Sequence, residues 1–212
     1  MNRPIRSFVL RQGRTTPAQS RALETLFPKY GLAFSDQKLS SEKNMVVEIG
    51  SGMGETTIEI AKAHPEVDFV AVEVHGPGVG SLLNAIEKNG LDNLRVIRHD
   101  AVEVLEHMVA DGSLAAIHLF FPDPWPKKRH HKRRLVQPAF AALAARKLAP
   151  GGVLHAATDW PDYADWMAEV FSQEALLEKA ERGLTAKPMT KFEARGRRLG
   201  HPIRELFYRR KR

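Results

Sequence analysis

Short apolar runs alternate with amphipathic segments through the centre of this 212-residue chain, and this alternation limits the possible folds more than any other feature. The apolar runs have the length of strands, and the intervening segments have the length of helices and end at proline or glycine. Such alternation predicts βαβ units, in which a mostly parallel sheet is covered by helices on both faces. The predicted strands are 45–49, 68–74, 94–99, 114–121, 153–158 and 203–208, and the predicted helices are 55–64, 79–88, 101–110, 135–148 and 163–171.

The composition favours a partner that carries negative charge. The chain has a formal net charge of +7 and a sequence pI of about 9.8, so its surface should attract polyanions such as nucleic acid. It contains no cysteine, which excludes disulfides and thiolate zinc sites. No apolar run is long enough to cross a bilayer, and no signal-peptide core follows the start. We therefore expect a cytoplasmic protein without a membrane span or a bound metal.

The length and the absence of repeats or low-complexity linkers predict a single domain. We expect that domain to comprise residues 41–212, after a basic N-terminal arm and lead-in at residues 1–40. From Met1 to Leu23 the chain has five arginines and no acidic residue. This composition fits an arm that binds nucleic acid, and it is also found in organelle transit peptides.

A glycine-rich turn follows the first predicted strand. Gly50, Gly52 and Gly54 would let the backbone approach a ligand closely at a helix N-terminus. A dinucleotide fingerprint would need a third glycine at position 55, where the chain has Glu55. The G-x-G-x-G spacing, with Glu48 two residues upstream, resembles instead the first motif of class I S-adenosylmethionine-dependent methyltransferases.

Acidic residues also mark the ends of the next two predicted strands. Ligands of open α/β sheets bind at the carboxyl edge, which is where these residues would lie. We expect Glu73 to accept hydrogen bonds from two ribose hydroxyls, and Asp100 with the N–H of Ala101 to bind the adenine edge. Glu48 would face the amino group of the methionine moiety, or alternatively would support the amides of the glycine loop.

A proline-rich segment joins the fourth predicted strand to a run of basic residues. Prolines on either side of Asp123 and Trp125 would hold both on a stiff backbone at the end of the strand. The eight basic residues that follow, 127–134, would lie where the phosphates of a nucleic acid lie. Alternatively they form a solvated charged surface, which is the commoner role of such runs.

Taken together, these motifs resemble the bacterial tRNA (guanine-N7)-methyltransferases over nearly the whole sequence. The most specific matches are the proline-rich and basic segment and two polar motifs near the C-terminus. The resemblance rests on residues 6–14, 48–54, 121–134, 158–160 and 190–193, together with Arg195, Gly200 and Ile203.

The resemblance implies a single Rossmann-like class I methyltransferase domain with about seven strands. It implies methyl transfer from S-adenosyl-L-methionine to N7 of a guanine in the tRNA variable loop, at expected position 46, without an obligatory protein partner. It also favours an RNA-binding arm over a transit peptide at the N-terminus. The implied cofactor contacts are Glu48, Glu73, Asp100 and Asp123, the substrate contacts are Lys127, Asp159, Thr190, Lys191, Phe192 and Glu193, and the RNA contacts are Arg129, His130, His131, Lys132, Arg133 and Arg134.

The chemistry of guanine agrees with these assignments. N7 carries a lone pair and no proton, so its methylation needs alignment of the reacting atoms and no general base. The Watson–Crick edge of guanine offers two N–H donors, which a carboxylate can hold. We expect Asp123 to be the central catalytic residue, with Asp159 or Glu193 as a second anchor. Trp125 and Trp160 are candidates for stacking on a base, and at least one of them should be structural.

Two other functions are compatible with parts of the sequence. A methyltransferase that acts on an exocyclic amine of adenine uses a similar tetrapeptide of an acid or amide, prolines and an aromatic residue. The basic run and the motif at 190–193 argue against it. A non-catalytic RNA-binding protein with a degenerate cofactor fold is the other alternative, and the intact glycines and strand-end acids argue against it.

Overall fold

The computed structural model describes residues 6–8, 13–182, 184–185 and 202–212. In these residues one eight-stranded sheet carries α-helices on both faces, as the sequence predicts. The strands are Gly31–Leu32 (β1), Asn44–Ile49 (β2), Val67–Val72 (β3), Leu94–Ile97 (β4), Leu114–Phe120 (β5), Leu148–Thr158 (β6), Leu177–Lys179 (β7) and Arg204–Arg210 (β8). The helices are Pro17–Thr25 (α1), Phe27–Tyr30 (α2), Glu55–Ala63 (α3), Gly76–Asn89 (α4), Ala101–Met108 (α5), Pro138–Lys147 (α6) and Pro161–Gln173 (α7), with a 3-10 helix at Lys128–Arg133.

The strand order is β1-β4-β3-β2-β5-β6-β8-β7. Strands β1 to β6 pair in parallel, and β8 pairs antiparallel with both β6 and β7. The chain changes direction across the sheet between β2 and β5, where Val46 pairs with Ala116 and Ile49 with Leu119. The loops after β2 and β5 therefore leave the sheet side by side, at the crevice where open α/β sheets bind ligands.

Two apolar cores hold the helices against the sheet. Helices α5, α6 and α7 pack on one face, with Leu105, Phe140 and Tyr163 among their buried residues. Helices α1, α3 and α4 pack on the other face, where Ala22 and Leu82 are buried. Within the part of the chain that the structure describes, no helix has both the length and the apolar character needed to cross a membrane.

Several predicted boundaries differ from the structure. β3 ends at Val72 and β4 at Ile97, so Glu73 and Asp100 lie in the turns beyond these strands. Helix α6 begins at Pro138, because a proline at the first helical position lacks only an N–H that would be unpaired there. β6 begins at Leu148, not at residue 153, because an irregularity opposite Leu114 and Ala116 lets the strand continue through a Pro-Gly-Gly segment.

Helices α1 and α2 and strands β1 and β7 were not predicted from the sequence. Helix α1 starts with a capping box, in which the Thr16 hydroxyl accepts from the Gln19 N–H and the Gln19 side chain accepts from the Thr16 N–H. It packs on α4 at Gly80, where a Cβ atom would lie 2.6 Å from the Gln19 carbonyl oxygen. The domain division at residue 40 stays a prediction, and α1 on its N-terminal side contacts α4 directly.

Candidate active site

A cavity of about 360 Å³ lies at the carboxyl edge of the sheet, among the loops that follow β2, β3, β4 and β5. It brings together Gly50, Glu73, Asp100, Ala101 and Asp123, which lie up to 73 positions apart in the sequence. The remaining lining residues are mostly apolar and include Val74, Leu119, Phe120 and Leu135. An apolar cavity with a few convergent polar groups is the usual form of a small-molecule site.

The glycine loop borders the cavity at Gly50. Gly50, Gly52 and Gly54 have φ angles of 74°, 56° and 85°. At Gly52 a side chain would be strained, and a Cβ atom would meet no atom within 4 Å, so the loop faces open space. The Ser51 hydroxyl is buried and has no hydrogen-bond partner among the described residues. A buried polar atom beside an open glycine loop fits a site that receives a polar ligand.

The glycine loop is held in place by α4. Gly78 lies so close to it that a Cβ atom there would be 2.5 Å from the Gly52 carbonyl oxygen. This contact was not predicted from the sequence, although three glycines at positions 76, 78 and 80 are a signal of close packing.

Glu48 lies in β2, two residues before the loop, and is not among the residues that line the cavity. Only 4% of the residue is exposed, and this burial raises the pKa of its carboxyl to about 7, helped by the nearby Glu73 carboxylate. A carboxyl group that is buried in this way would gain most from a cationic partner.

Glu73 fastens the loop to the end of β3. One carboxylate oxygen accepts a hydrogen bond from the Gly52 N–H at 2.8 Å, and the other accepts from the His75 N–H at 2.8 Å. The role of supporting the loop amides, which we considered for Glu48, therefore belongs to Glu73. Each carboxylate oxygen keeps acceptor capacity for a further donor, so the ribose contact predicted for Glu73 is chemically compatible with this position.

Asp100 caps α5 by accepting a hydrogen bond from the Val102 N–H at 2.9 Å. The adjacent Ala101 begins the helix and lines the cavity. His99, which sequence analysis did not select, also lines the cavity. Its ring stacks on Phe34 with the centroids 3.7 Å apart and the planes at 12°, and it pairs with Glu103.

The loop that carries Asp123 has an unusual backbone. Phe121 has a φ angle of 52° and Trp125 of 46°, a region that bulky residues rarely adopt. The two residues flank Asp123 symmetrically, at two positions before and two after it. Asp123 is exposed at the cavity, and its partial burial raises the pKa of its carboxyl. Backbone strain of this kind concentrates at functional sites, because the surrounding structure must enforce it.

Trp125 is partly buried and connects this loop to the N-terminal arm. Its indole N–H donates to the Ser7 carbonyl oxygen at 3.0 Å, and the Arg133 guanidinium lies 5.0 Å from the centre of its ring. Ser7 and the adjacent Phe8 line the cavity. Trp160, which begins the turn into α7, is 39% exposed.

The basic segment divides into exposed and buried residues. Lys127, Arg129 and Lys132 are exposed on or beside the 3-10 helix, and His130, His131 and Arg133 are partly exposed. Arg134 differs from all of them, since only 3% of it is exposed.

Asp159 is exposed directly after β6, which pairs in parallel with β5. It therefore follows a strand adjacent to the one that leads to Asp123. Thr190, Lys191, Phe192 and Glu193, together with Arg195 and Gly200, lie outside the described residues.

The buried His118 is a poor candidate for a general base. It lies within β5, and one ring nitrogen, Nε2, is 3.1 Å from the Thr185 hydroxyl. Burial lowers the pKa of His118 to about 3, helped by the nearby His155. The ring is therefore neutral near neutral pH and shielded from substrate.

Comparison with known proteins agrees with this geometry. Residues 42–206 match a family model described as "Putative methyltransferase". The chain is 53% identical to the tRNA (guanine-N(7)-)-methyltransferase of Methylobacillus flagellatus, over 99% of this chain and 92% of that protein. It is 54% identical to the protein of the same name from Nitrosomonas eutropha, over 97% and 96% of the two chains.

Among solved structures, an rRNA methylase from Streptococcus thermophilus aligns with a TM-score of 0.54 at 14% identity, over 81% of this chain and 89% of that one. The 16S rRNA methyltransferase KamB aligns with a TM-score of 0.57 at 17% identity, over 94% and 96%. At these identities the likeness concerns the fold alone, which is that of the class I methyltransferases.

Proposed function

This chain belongs to the family of the tRNA (guanine-N7)-methyltransferases, and we propose that it transfers a methyl group from S-adenosyl-L-methionine to N7 of a guanine in tRNA. The observation that carries the proposal is the placement of Asp123. It lies at the mouth of a nucleoside-sized cavity, between two strained residues, and the exposed basic segment begins four positions later. We propose that this guanine lies in the variable loop, at position 46, and that the protein acts in the cytoplasm.

The cofactor would occupy the cavity with its adenosine beside Glu73, Asp100 and Ala101. Glu73 has acceptor capacity for the ribose hydroxyls, and the N–H of Ala101 at the start of α5 can donate to adenine. The methionine amino group would approach the buried Glu48 carboxyl, where a positive charge would offset the cost of its burial. The glycine loop, which faces open space at Gly50 and Gly52, supports the same orientation.

S-adenosyl-L-methionine, when bound, would supply a sulfonium methyl group, which N7 accepts through its lone pair as the carbon–sulfur bond breaks. No proton moves in this exchange, so the protein needs no general base, and Asp123 can act as a carboxylate throughout. It would accept hydrogen bonds from the guanine N–H groups, which aligns N7, and its negative charge would stabilise the positive charge that develops on the ring.

Exposed residues beside Asp123 would hold the rest of the substrate. Lys127 follows the loop directly in the chain, and Asp159 follows β6, the strand beside β5. Arg129, His130, His131, Lys132 and Arg133 offer donors and positive charge for tRNA phosphates. We also propose substrate contacts for Thr190, Lys191, Phe192 and Glu193, on the basis of sequence resemblance. Arg134 is left out of the RNA surface because it is buried.

The decisive experiment is to map the methylated atom. The purified protein is incubated with unmodified tRNA and S-adenosyl-L-methionine carrying a labelled methyl group, and nuclease digests of the tRNA are analysed by mass spectrometry. We expect N7-methylguanosine from the variable loop. Methyl-adenosine in the digests would support the amine methyltransferase, and bound but unmodified tRNA would support a non-catalytic RNA-binding protein.

A further inference from the structure

Arg134 belongs to the basic segment in sequence but not in space. Its neighbour Arg133 is partly exposed beside Trp125, whereas the Arg134 side chain is only 2% exposed and lies over the ring of Tyr163 at 4.9 Å. The other seven residues of the segment are exposed or partly exposed and can contact tRNA. Arg134 could do so only by breaking its present contacts.

The donors of Arg134 are used inside the protein. Its Nε–H donates to the Pro124 carbonyl oxygen at 2.9 Å, and Nη2 donates to the Asp162 carboxylate and lies 3.2 Å from the His131 ring nitrogen Nε2. A phosphate that recruited this guanidinium would have to break these bonds and leave the Pro124 carbonyl unpaired.

The Pro124 carbonyl belongs to the residue that follows Asp123, and the next residue is the strained Trp125. A backbone in this conformation needs external contacts to keep it there. The hydrogen bond from Arg134 therefore holds the loop at Pro124, between Asp123 and the strained Trp125. The next residue in the chain, Leu135, lines the cavity, so the side chain of Arg134 ties the Asp123 loop to a segment that forms part of the cavity wall.

We propose that Arg134 is a positioning residue that holds Asp123 in its working geometry, and that it makes no contact with tRNA. This inference rests on the proposed function, since it assigns a task to a residue that acts through Asp123. Arg134 would then affect the rate of methyl transfer, whereas the exposed residues of the basic segment would affect the affinity for tRNA.

The test compares Arg134→Lys with Arg133→Ala. Lysine keeps the positive charge but cannot reproduce the planar set of donors. We expect Arg134→Lys to lower the single-turnover rate at saturating ligands by about tenfold or more, since small errors in alignment are costly. Its dissociation constant for tRNA, and the slope of log affinity against log salt, should stay at the wild-type values. Arg133→Ala should weaken tRNA binding and flatten that slope.

Asp162→Asn provides a milder second variant, because the Asp162 side chain is 64% exposed and its replacement should not disturb folding. It should lower the rate in the same direction, and the double variant should lose less than the product of the two single effects. Arg146→Ala, an exposed arginine paired with Asp111, is the matched control and should change neither rate nor tRNA affinity. Melting temperatures and S-adenosylhomocysteine titrations would show that every variant is folded.

The inference would be overturned if Arg134→Ala flattened the salt slope while Arg134→Lys kept both the slope and the rate, because that pattern marks a phosphate contact. It would also be overturned if Arg134→Lys lowered the melting temperature but left the transfer rate at the wild-type value. Failure of the proposed function would look different, since the wild-type protein itself would then not form N7-methylguanosine.

Discussion

The indole N–H of Trp125 donates a hydrogen bond to the backbone carbonyl of Ser7 at 3.0 Å, across 118 positions of the chain. Ser7 and Phe8 also line the cofactor cavity, so a segment that sequence analysis assigned to RNA binding is part of the cavity wall. Trp125 in turn carries the strained backbone two residues after Asp123. This hydrogen bond therefore couples the described part of the N-terminal arm to the Asp123 loop.

Trp125→Phe should weaken this coupling, because phenylalanine keeps an aromatic ring but has no N–H donor. A hydrogen bond of this kind contributes about 1 kcal/mol, so we expect a loss of roughly fivefold in transfer rate. The measurement is single-turnover methylation at saturating tRNA. In a protein that lacks residues 1–8, the same substitution should have almost no further effect, since the acceptor is already gone. Equal effects in both backgrounds would contradict the coupling.

Gly78→Ala should weaken cofactor binding without any direct contact with the cofactor. The added Cβ would lie 2.5 Å from the Gly52 carbonyl oxygen and would displace the glycine loop. Gly80→Ala is a matched control in the same helix, since its Cβ would displace α1 at Gln19 instead. We expect both variants to melt at lower temperature and only Gly78→Ala to lose affinity for S-adenosylhomocysteine in calorimetric titration. A similar loss of affinity in both would indicate general destabilisation.

Sequence pattern was sufficient to predict the parallel sheet, because buried strands and capped helices leave periodic and local signals. It also predicted that Glu73, Asp100 and Asp123 lie at one edge of the sheet, because the carboxyl ends of parallel strands share an edge. It failed at β6, where a Pro-Gly-Gly segment normally ends an element but here continues through a strand irregularity.

The distinction between Arg133 and Arg134 could not be predicted, because adjacent residues of equal charge differ only in where the folded chain places them. The burial of Arg134 depends on Asp162 and Tyr163, which lie 28 and 29 positions later. The contact between Trp125 and Ser7 was hidden for the same reason. Contacts of this range follow from tertiary packing, and a local motif does not encode them.

Cofactor affinity should depend on the ionisation of Glu48. Burial raises the pKa of this carboxyl to about 7, so it is protonated below that pH and charged above it. A carboxylate attracts the ligand ammonium group and a protonated carboxyl does not. We therefore expect affinity for S-adenosylhomocysteine to rise between pH 6 and pH 8, and Glu48→Gln to remove this dependence. Glu55→Gln, at the exposed start of α3, should keep it.

The ionisation of Glu48 should lower the stability of the ligand-free protein as pH rises, whereas it should raise the affinity for the cofactor. Because the folded protein holds this proton more tightly than the unfolded chain, the contribution of Glu48 to stability is present at low pH and is lost as pH rises through about 7. The melting temperature of Glu48→Gln relative to wild type should therefore increase from pH 5 to pH 8, in the absence of ligand. A constant difference would show that the carboxyl is not buried as a neutral group.

Asp123→Asn should abolish most of the activity while cofactor affinity changes much less, because the carboxylate faces the cavity mouth. Partial burial raises the pKa of Asp123, so the single-turnover rate should rise with pH as this group ionises and then stay constant. Burial lowers the pKa of His118 to about 3, so this histidine does not titrate near neutrality. A second rise near neutrality that disappears when a histidine is replaced would reveal a general base and would contradict the alignment mechanism.

The exposed basic residues should contribute to tRNA binding through charge alone. Arg129→Ala and Lys132→Ala each remove an exposed cation near the Asp123 loop, whereas Lys88→Ala removes one at the end of α4. If Arg129 and Lys132 meet phosphates, each replacement should flatten the slope of log affinity against log salt by roughly 0.7–0.9, with a similar loss of affinity for all tRNAs. Lys88→Ala should leave the slope unchanged. If all three variants kept the wild-type slope, the basic segment would be only a solvated charged surface. The protein would then have to bind tRNA through other residues.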